Sequence, residues 1–168
     1  MNTSLRCLPQ TDDIAALVDQ ITSTFLDEPA LPVAPTAARE SDDIWSGCVT
    51  VDGPFRGAVI VACPRDFAIR VGGKMFDTPP GSVSEEDVRE ALAEFTNVVG
   101  GNIKSLISAA VGETCRMGLP VVTNGKVRVA GEIGRREVLF ECAHAFISVR
   151  VLEVRRSRDS LMAAAMKR

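Results

Sequence analysis

The sequence predicts an α+β fold, a mainly antiparallel sheet with a long central helix and an N-terminal helix packed on one face. Three observations predict it. Two stretches, 11–26 and near 84–110, carry apolar residues at helical spacing over a length that suits helices. Short β-branched runs pair up around turn residues such as Asp52-Gly53. The order (helix, two strands, short helix, long helix, then three or so strands) does not alternate strand with helix as a doubly wound parallel sheet would.

Each element has its own reason. In 11–26 Thr11 is the expected N-cap, Asp12 and Asp13 suit the positive helix end, and Ile14, Leu17, Val18, Ile21 and Phe25 form the buried stripe. Residues 27–42 hold three prolines and read as a connector. Ile44–Val51 alternates and Phe55–Ala62 is apolar throughout, so the first is a half-buried strand and the second a buried one. Pro64–Phe76 is expected as a short helix, with Pro64 at its start and Phe67, Val71 and Met75 on one face. The long helix begins near Ser82 or Ser84, where Ser82 and Glu85 have capping-box spacing. Pro120 opens a strand region at Val121–Val122 and Lys126–Ala130, and Glu137–Ala143 and Ala145–Val154 close the sheet.

A chain of 168 residues suits a single domain, 1–168, with a short lead at 1–10 and a basic tail at 155–168. A domain of this size hides roughly 70% of its unfolded surface and needs no covalent or metal staple. The net charge of −3 argues against a nucleic-acid partner, which calls for a basic face. One histidine (His144), one tryptophan (Trp45) and no tyrosine remove most histidine catalysis and multi-histidine metal sites. Cys7, Cys48, Cys63, Cys115 and Cys142 form no CxxC pair, so reduced thiols in a cytoplasmic protein are expected, with no metal site. The first ten residues lack the apolar core of a signal peptide, and no apolar run approaches the ~20 residues of a membrane span. His144 reads as a strand-turn histidine rather than a catalyst. Cys115, beside Arg116, has no neighbouring thiol or histidine to make it a nucleophile.

The central helix carries the functional signal. At about 100° per residue, Val88, Leu92, Phe95, Val99 and Leu106 share one side, with Ile103 near its edge. Glu90, Glu94, Asn97, Gly101, Lys104 and Ser108 share the opposite side. From periodicity alone a solvated polar face is the expected explanation of that side. Yet Asn97, Asn102 and the pair Gly100-Gly101 are poor helix interior residues, each glycine costing ~1 kcal/mol relative to alanine. One reading ends the helix at Val99 with the glycines as its C-cap. The other, favoured because Ile103, Leu106 and Ile107 continue the stripe in phase, keeps the helix whole and has the glycines admit a close neighbour. Glu94 and Asn97, three apart, then project side by side. An amide has no useful pKa, but it can hold a water through its carbonyl and its NH₂ together. A carboxylate beside it can grip a cation on a partner.

These residues resemble the CheC/CheX/FliY phosphatases of bacterial chemotaxis. That family's signature is an acidic residue or serine, three residues, Glu, two residues, Asn, about 22 residues, and Pro. Here Glu94-Phe-Thr-Asn97 supplies the core, Gly101-Asn102 continues it, and Pro120 follows after 22 intervening residues (98–119). The likeness in element order spans roughly 11–154. It implies a CheX-like fold and hydrolysis of the aspartyl phosphate of a phosphorylated response regulator, a CheY-like receiver domain. It further implies that Glu94 pairs with the regulator's active-site lysine and that Asn97 orients the attacking water. Glu90, Gly101, Asn102 and Lys104 would face the partner. Mg2+ is expected on the receiver, so the chain needs no cofactor of its own. Glu90 stands where the pattern has Asp or Ser. The first helix offers Asp19-Gln-Ile-Thr22 where two-site members repeat the motif, which reads as a helix without a site. One active helix per chain is similar to CheX, whose members pair as homodimers.

Two further readings stand beside this one. A non-catalytic CheX-like module could dock a response regulator or signalling assembly, and Glu90 with the degenerate first helix favour it. An unrelated α+β domain with an accidental match would bury Glu94 and Asn97 or break the helix at Gly100.

Overall fold

The structure, a computed structural model, describes residues 7–37 and 42–155. The lead up to residue 6 and the basic tail from 156 lie outside the described residues. The architecture is α+β as the sequence predicts, with three α-helices and a seven-stranded antiparallel sheet among the described residues.

Helix α1 is Thr11–Leu26, with Asp12 and Asp13 in its first turn and Ile14, Val18, Ile21, Thr22 and Leu26 buried. The expected N-cap shifts by one: Gln10 occupies it without a side-chain hydrogen bond, and Thr11 is already helical. Strand β1, Leu31–Val33, corrects the reading of 27–42 as a bare connector. It pairs with one strand only, with Leu31 opposite Glu141 and Val33 opposite Leu139. Pro32, which hid it, is tolerated at a sheet edge because an edge residue's missing donor faces no partner.

Strands β2 (Ile44–Asp52) and β3 (Gly57–Pro64) form the hairpin read from Asp52-Gly53, with Val49 opposite Val59. Gly53 has φ +135°, a conformation that glycine adopts at no steric cost. Helix α2, Arg65–Met75, begins directly after Pro64 and buries Phe67, Ala68 and Val71.

Helix α3 runs unbroken over 27 residues, Glu85–Val111. Its capping box is Ser84 with Asp87, not Ser82 with Glu85. The Asp87 N–H donates to Ser84 Oγ (3.1 Å) and the Ser84 N–H to Asp87 Oδ2 (2.8 Å). Ser82 belongs instead to a short 3₁₀ turn, Pro80–Ser82, in which its own N–H is taken by Pro79. Gly112, at φ +75°, ends the helix in the left-handed conformation.

After α3 come β4 (Arg116–Met117), β5 (Val121–Asn124), β6 (Glu132–Cys142) and β7 (Ala145–Val154). The order across the sheet is β1-β6-β7-β3-β2-β4, with β5 also against β2. Lys126–Ala130 is not a strand, contrary to expectation. Gly125, at φ +112°, turns the chain off the sheet edge. The segment then lies across the face away from the helices, where Ser46 Oγ donates to Gly125 O (2.7 Å) and Arg150 Nη2 to Val127 O (3.2 Å). Ile60 and Leu152 are buried as well, outside the core cluster under the helices.

The main core lies between the helices and the other sheet face. Phe95 of α3 meets Phe25 of α1 and Phe67 of α2 edge-on, at 6.0 and 5.9 Å between ring centres. Such pairs contribute about 0.5–1.5 kcal/mol each beyond their burial, so one α3 ring helps hold both other helices in place. Ile103 is fully buried and Leu106 only half-buried, the reverse of their predicted ranking. The buried arc of α3 is wide and centred by its neighbours, since it packs on β2, β3 and both other helices.

Candidate functional site

The outward side of α3 carries the residues picked out from sequence. Glu90 and Glu94 are exposed, and Asn97, Gly101 and Lys104 are half-buried. Helix geometry puts the Cβ atoms of Glu94 and Asn97 about 5–6 Å apart, side by side on one turn. No side chain of Glu90, Glu94, Asn97 or Lys104 has a hydrogen bond or ion pair with another described residue. An acid, an amide and a cation are thus left open to a partner. The accidental-match reading, which required burial or a helix break, is not what the chain shows.

Asn102 is placed differently. Its Nδ2 donates to Val98 O one turn back (2.8 Å), and its side chain lines a groove of about 420 Å³ between α1 and α3. Val98 and Leu106 share that groove with Leu17, Phe25, Asp13 and Gln20 of α1. Asn102 therefore flanks the Glu94/Asn97 face rather than standing on it.

The two glycines have separate reasons. A Cβ on Gly100 would run into Val49 Cγ2 and come within 3.2 Å of Met117 Sδ, so Gly100 exists to let β2 approach its own helix. A Cβ on Gly101 would meet only Met117 Cε at 3.9 Å, an ordinary contact. The close neighbour expected from the sequence is, at Gly100, part of this chain. Thr96, between the two site residues, is fully buried against Gly47, and its Oγ1 has no hydrogen-bond partner. On the next turn towards the N-terminus Arg89 stacks over Trp45, 4.9 Å from the ring centre, while pairing with Glu85 at 3.0 Å.

The corresponding positions of α1 are occupied structurally. Asp19 Oδ1 accepts from the Ala30 N–H (3.0 Å), and Thr22 is buried, with Oγ1 donating to Asp19 O (3.2 Å). That supports α1 as a helix without a site. His144 stands exposed in the two-residue β6–β7 turn, where Ala143 and His144 take φ of +51° and +65°. Cys115 is buried, its N–H held by Ser108 Oγ at 3.0 Å. Among the described residues no group of three or more His, Cys, Asp or Glu side chains could hold a metal ion, and no helix is long and apolar enough to cross a membrane.

Sequence reasoning missed the seat of Met117, at the end of β4, over the two glycines. Nothing local marks it, because it reaches α3 from about one helix-length further along the chain.

The sequence model of the family described as Chemotaxis phosphatase CheX matches residues 45–141, from the start of β2 to the end of β6. No curated protein matches the chain. Among solved structures, the chemotaxis protein CheX of Vibrio vulnificus has a TM-score of 0.70 at 22% identity, covering 85% of this chain and 95% of that one. A CheX of Desulfovibrio desulfuricans has 0.66 at 19%, covering 84% and 97%. The CheX of a CheX–CheY–BeF3–Mg2+ complex from Borrelia burgdorferi has 0.65 at 15%, covering 88% and 99%. At such identities these likenesses concern the fold.

Proposed function

Since the chain belongs to the CheX family of chemotaxis phosphatases, we propose that it hydrolyses the aspartyl phosphate of a phosphorylated CheY-like receiver domain, with Glu94 and Asn97 as the working pair. The observation that carries this is their placement on one turn of an unbroken α3, open outward and free of partners among the described residues. A solved neighbour of the same fold is a CheX bound to CheY with BeF3 and Mg2+, which supports the choice of partner.

In this reading Glu94 pairs with a lysine beside the phosphoaspartate, and Asn97 enters next to the phosphoryl group. Its Oδ1 accepts a hydrogen bond from one water and its Nδ2 donates, which fixes that water in line with the scissile bond. The water oxygen attacks phosphorus as the bond from phosphorus to the aspartate oxygen breaks. The carboxylate is regenerated and inorganic phosphate leaves. Asn97 cannot take the water's proton, so the proton departs with phosphate or solvent. Mg2+, held by the receiver, offsets charge on the phosphoryl oxygens. Glu90, Gly101 and Lys104 complete the docking face, and Asn102 borders it. The chain acts in the cytoplasm as a homodimer, each copy bringing one α3.

The test is phosphate loss from a phosphorylated receiver with and without this protein. Asn97→Ala is expected to lower the acceleration by about 10²-fold, the scale of one lost positioning group. A folded Asn97→Ala protein that works as well as wild type overturns the assignment. Glu94→Lys sets two cations against each other and is expected to act mainly on KM. Glu90, longer than the Asp or Ser of the pattern, favours a binding-only reading. Receiver binding by the wild-type protein without faster phosphate loss would select it.

A further inference from the structure

We infer that the β4–β5 bend, with Leu119 at its tip, is a second contact for the same receiver domain, an apolar anchor beside the α3 face. The inference rests on the function proposed above and names a part of its partner surface. Leu119 is 88% exposed, more than any other large apolar residue among those described. A single exposed leucine means little by itself. Two further observations give this one weight.

The first is that Leu119 is held out rigidly. Both flanking strands pair with β2, and between them the Gly118 N–H donates to Thr50 O (2.9 Å). Gly118 is pressed so closely on β2 that a Cβ there would collide with Thr50 Oγ1. Pro120 stiffens the other side. Little ordering entropy remains to be lost when such a residue is covered, which is how pre-organised anchors gain affinity.

The second is continuity with the site. Met117, two residues before Leu119, lies against Gly100 and Gly101, and Gly101 belongs to the same side of α3 as Asn97 and Lys104. From Glu90 to Lys104 that face is about 21 Å long, and with a width of about 10 Å it offers roughly 200 Å². A stable interface buries about 800 Å² per partner. A receiver seated on Glu94 and Asn97 must therefore rest on a flank. The α1–α3 groove is concave with Asp13 and Gln20 among its lining, whereas the bend offers a convex apolar tip. Such a tip calls for a hydrophobic depression on the receiver near its phosphorylated aspartate.

The experiment titrates a receiver loaded with beryllofluoride and Mg2+ against the wild-type, Leu119→Ala, Leu119→Asp and Asn97→Ala proteins. Leu119→Ala is expected to raise Kd about tenfold, the effect of uncovering most of a buried leucine, and Leu119→Asp more. The substituted side chain is exposed, so folding is not at issue. Unchanged Kd in both Leu119 variants overturns the inference. So does a change in the chain's own sedimentation with receiver binding intact, which would give the bend to a second copy. Binding weakened at Leu119 with no hydrolysis by wild type sustains the anchor and refutes the phosphatase. Hydrolysis lost in Asn97→Ala with Leu119 neutral does the opposite. No binding at all refutes both.

Discussion

Adjacent glycines in the middle of α3 give opposite predictions for one substitution. Ala at either position gains helix propensity, about 1 kcal/mol, because it loses less backbone freedom on folding. At Gly101 the new methyl meets only Met117 Cε at 3.9 Å, so the gain stands and the protein is stabilised by about 0.5–1 kcal/mol. At Gly100 the methyl overlaps Val49, a fully buried residue of a central strand that has nowhere to move. Met117 Sδ, 3.2 Å away, can yield, but Val49 cannot. Overpacking costs about 1–3 kcal/mol, so the net effect of Gly100→Ala is a loss of up to about 2 kcal/mol. With a urea m-value of about 2 kcal/mol/M, the midpoint should rise by about 0.3–0.5 M for Gly101→Ala and fall by as much as about 1 M for Gly100→Ala. Urea unfolding followed by circular dichroism, with m unchanged between variants, reads both. Equal shifts of the same sign would refute the packing argument, because propensity alone cannot tell the two positions apart.

Three other outcomes are expected. Thr96→Val keeps the shape of a buried side chain and removes a hydroxyl that has no partner, so stability should rise by about 1 kcal/mol in thermal unfolding; a loss would show that the hydroxyl is satisfied in solution. The side-chain and backbone hydrogen bonds from Ser84 hold the Asp87 carboxyl below the usual aspartate range. A depressed folded pKa means that its stabilisation is present above the unfolded value and is lost as pH falls through the folded one. The stability gap between wild type and Asp87→Ala should therefore be full at pH 7 and close only in strong acid, while a gap that closes above pH 5 contradicts the capping box. Burial pushes the Cys63 thiol up to about 12, and Cys115 and Cys142 are buried as well. A thiol reagent at pH 8 should label at most Cys7 and Cys48 in the native protein and all five after unfolding; rapid native labelling of Cys63 would contradict the core.

The long helix was legible because its pattern is local: Val88, Leu92, Phe95 and Val99 repeat at helical spacing, and the polar residues between them fall on the side that stays open. The hairpin around Asp52-Gly53 was legible for the same reason. What failed depended on distant neighbours. Ile103 rather than Leu106 enters the core because β2 and the other two helices decide which part of the arc is covered. β1 is a strand despite Pro32 because β6 offers it an edge. The turn off the sheet at Gly125 and the seat of Met117 over two glycines are tertiary facts with no periodic trace. That Glu94 and Asn97 share the open side of α3 could be read from spacing, whereas the packing of Met117 beside Gly100 and Gly101 could not.

The employment of Asp19 and Thr22 in α1 bears on how this chain can change. Giving α1 the Glu and Asn of the α3 motif would need Asp19→Glu and Thr22→Asn. The first displaces the acceptor that holds the Ala30 N–H, just ahead of β1. The second forces a carboxamide into a fully buried position, an uncompensated burial costing about 1–3 kcal/mol. Each intermediate is less stable and has nothing new to offer a partner until both are present and the helix has turned its face outward. The route from this chain to one with two motif helices is thus uphill at every step.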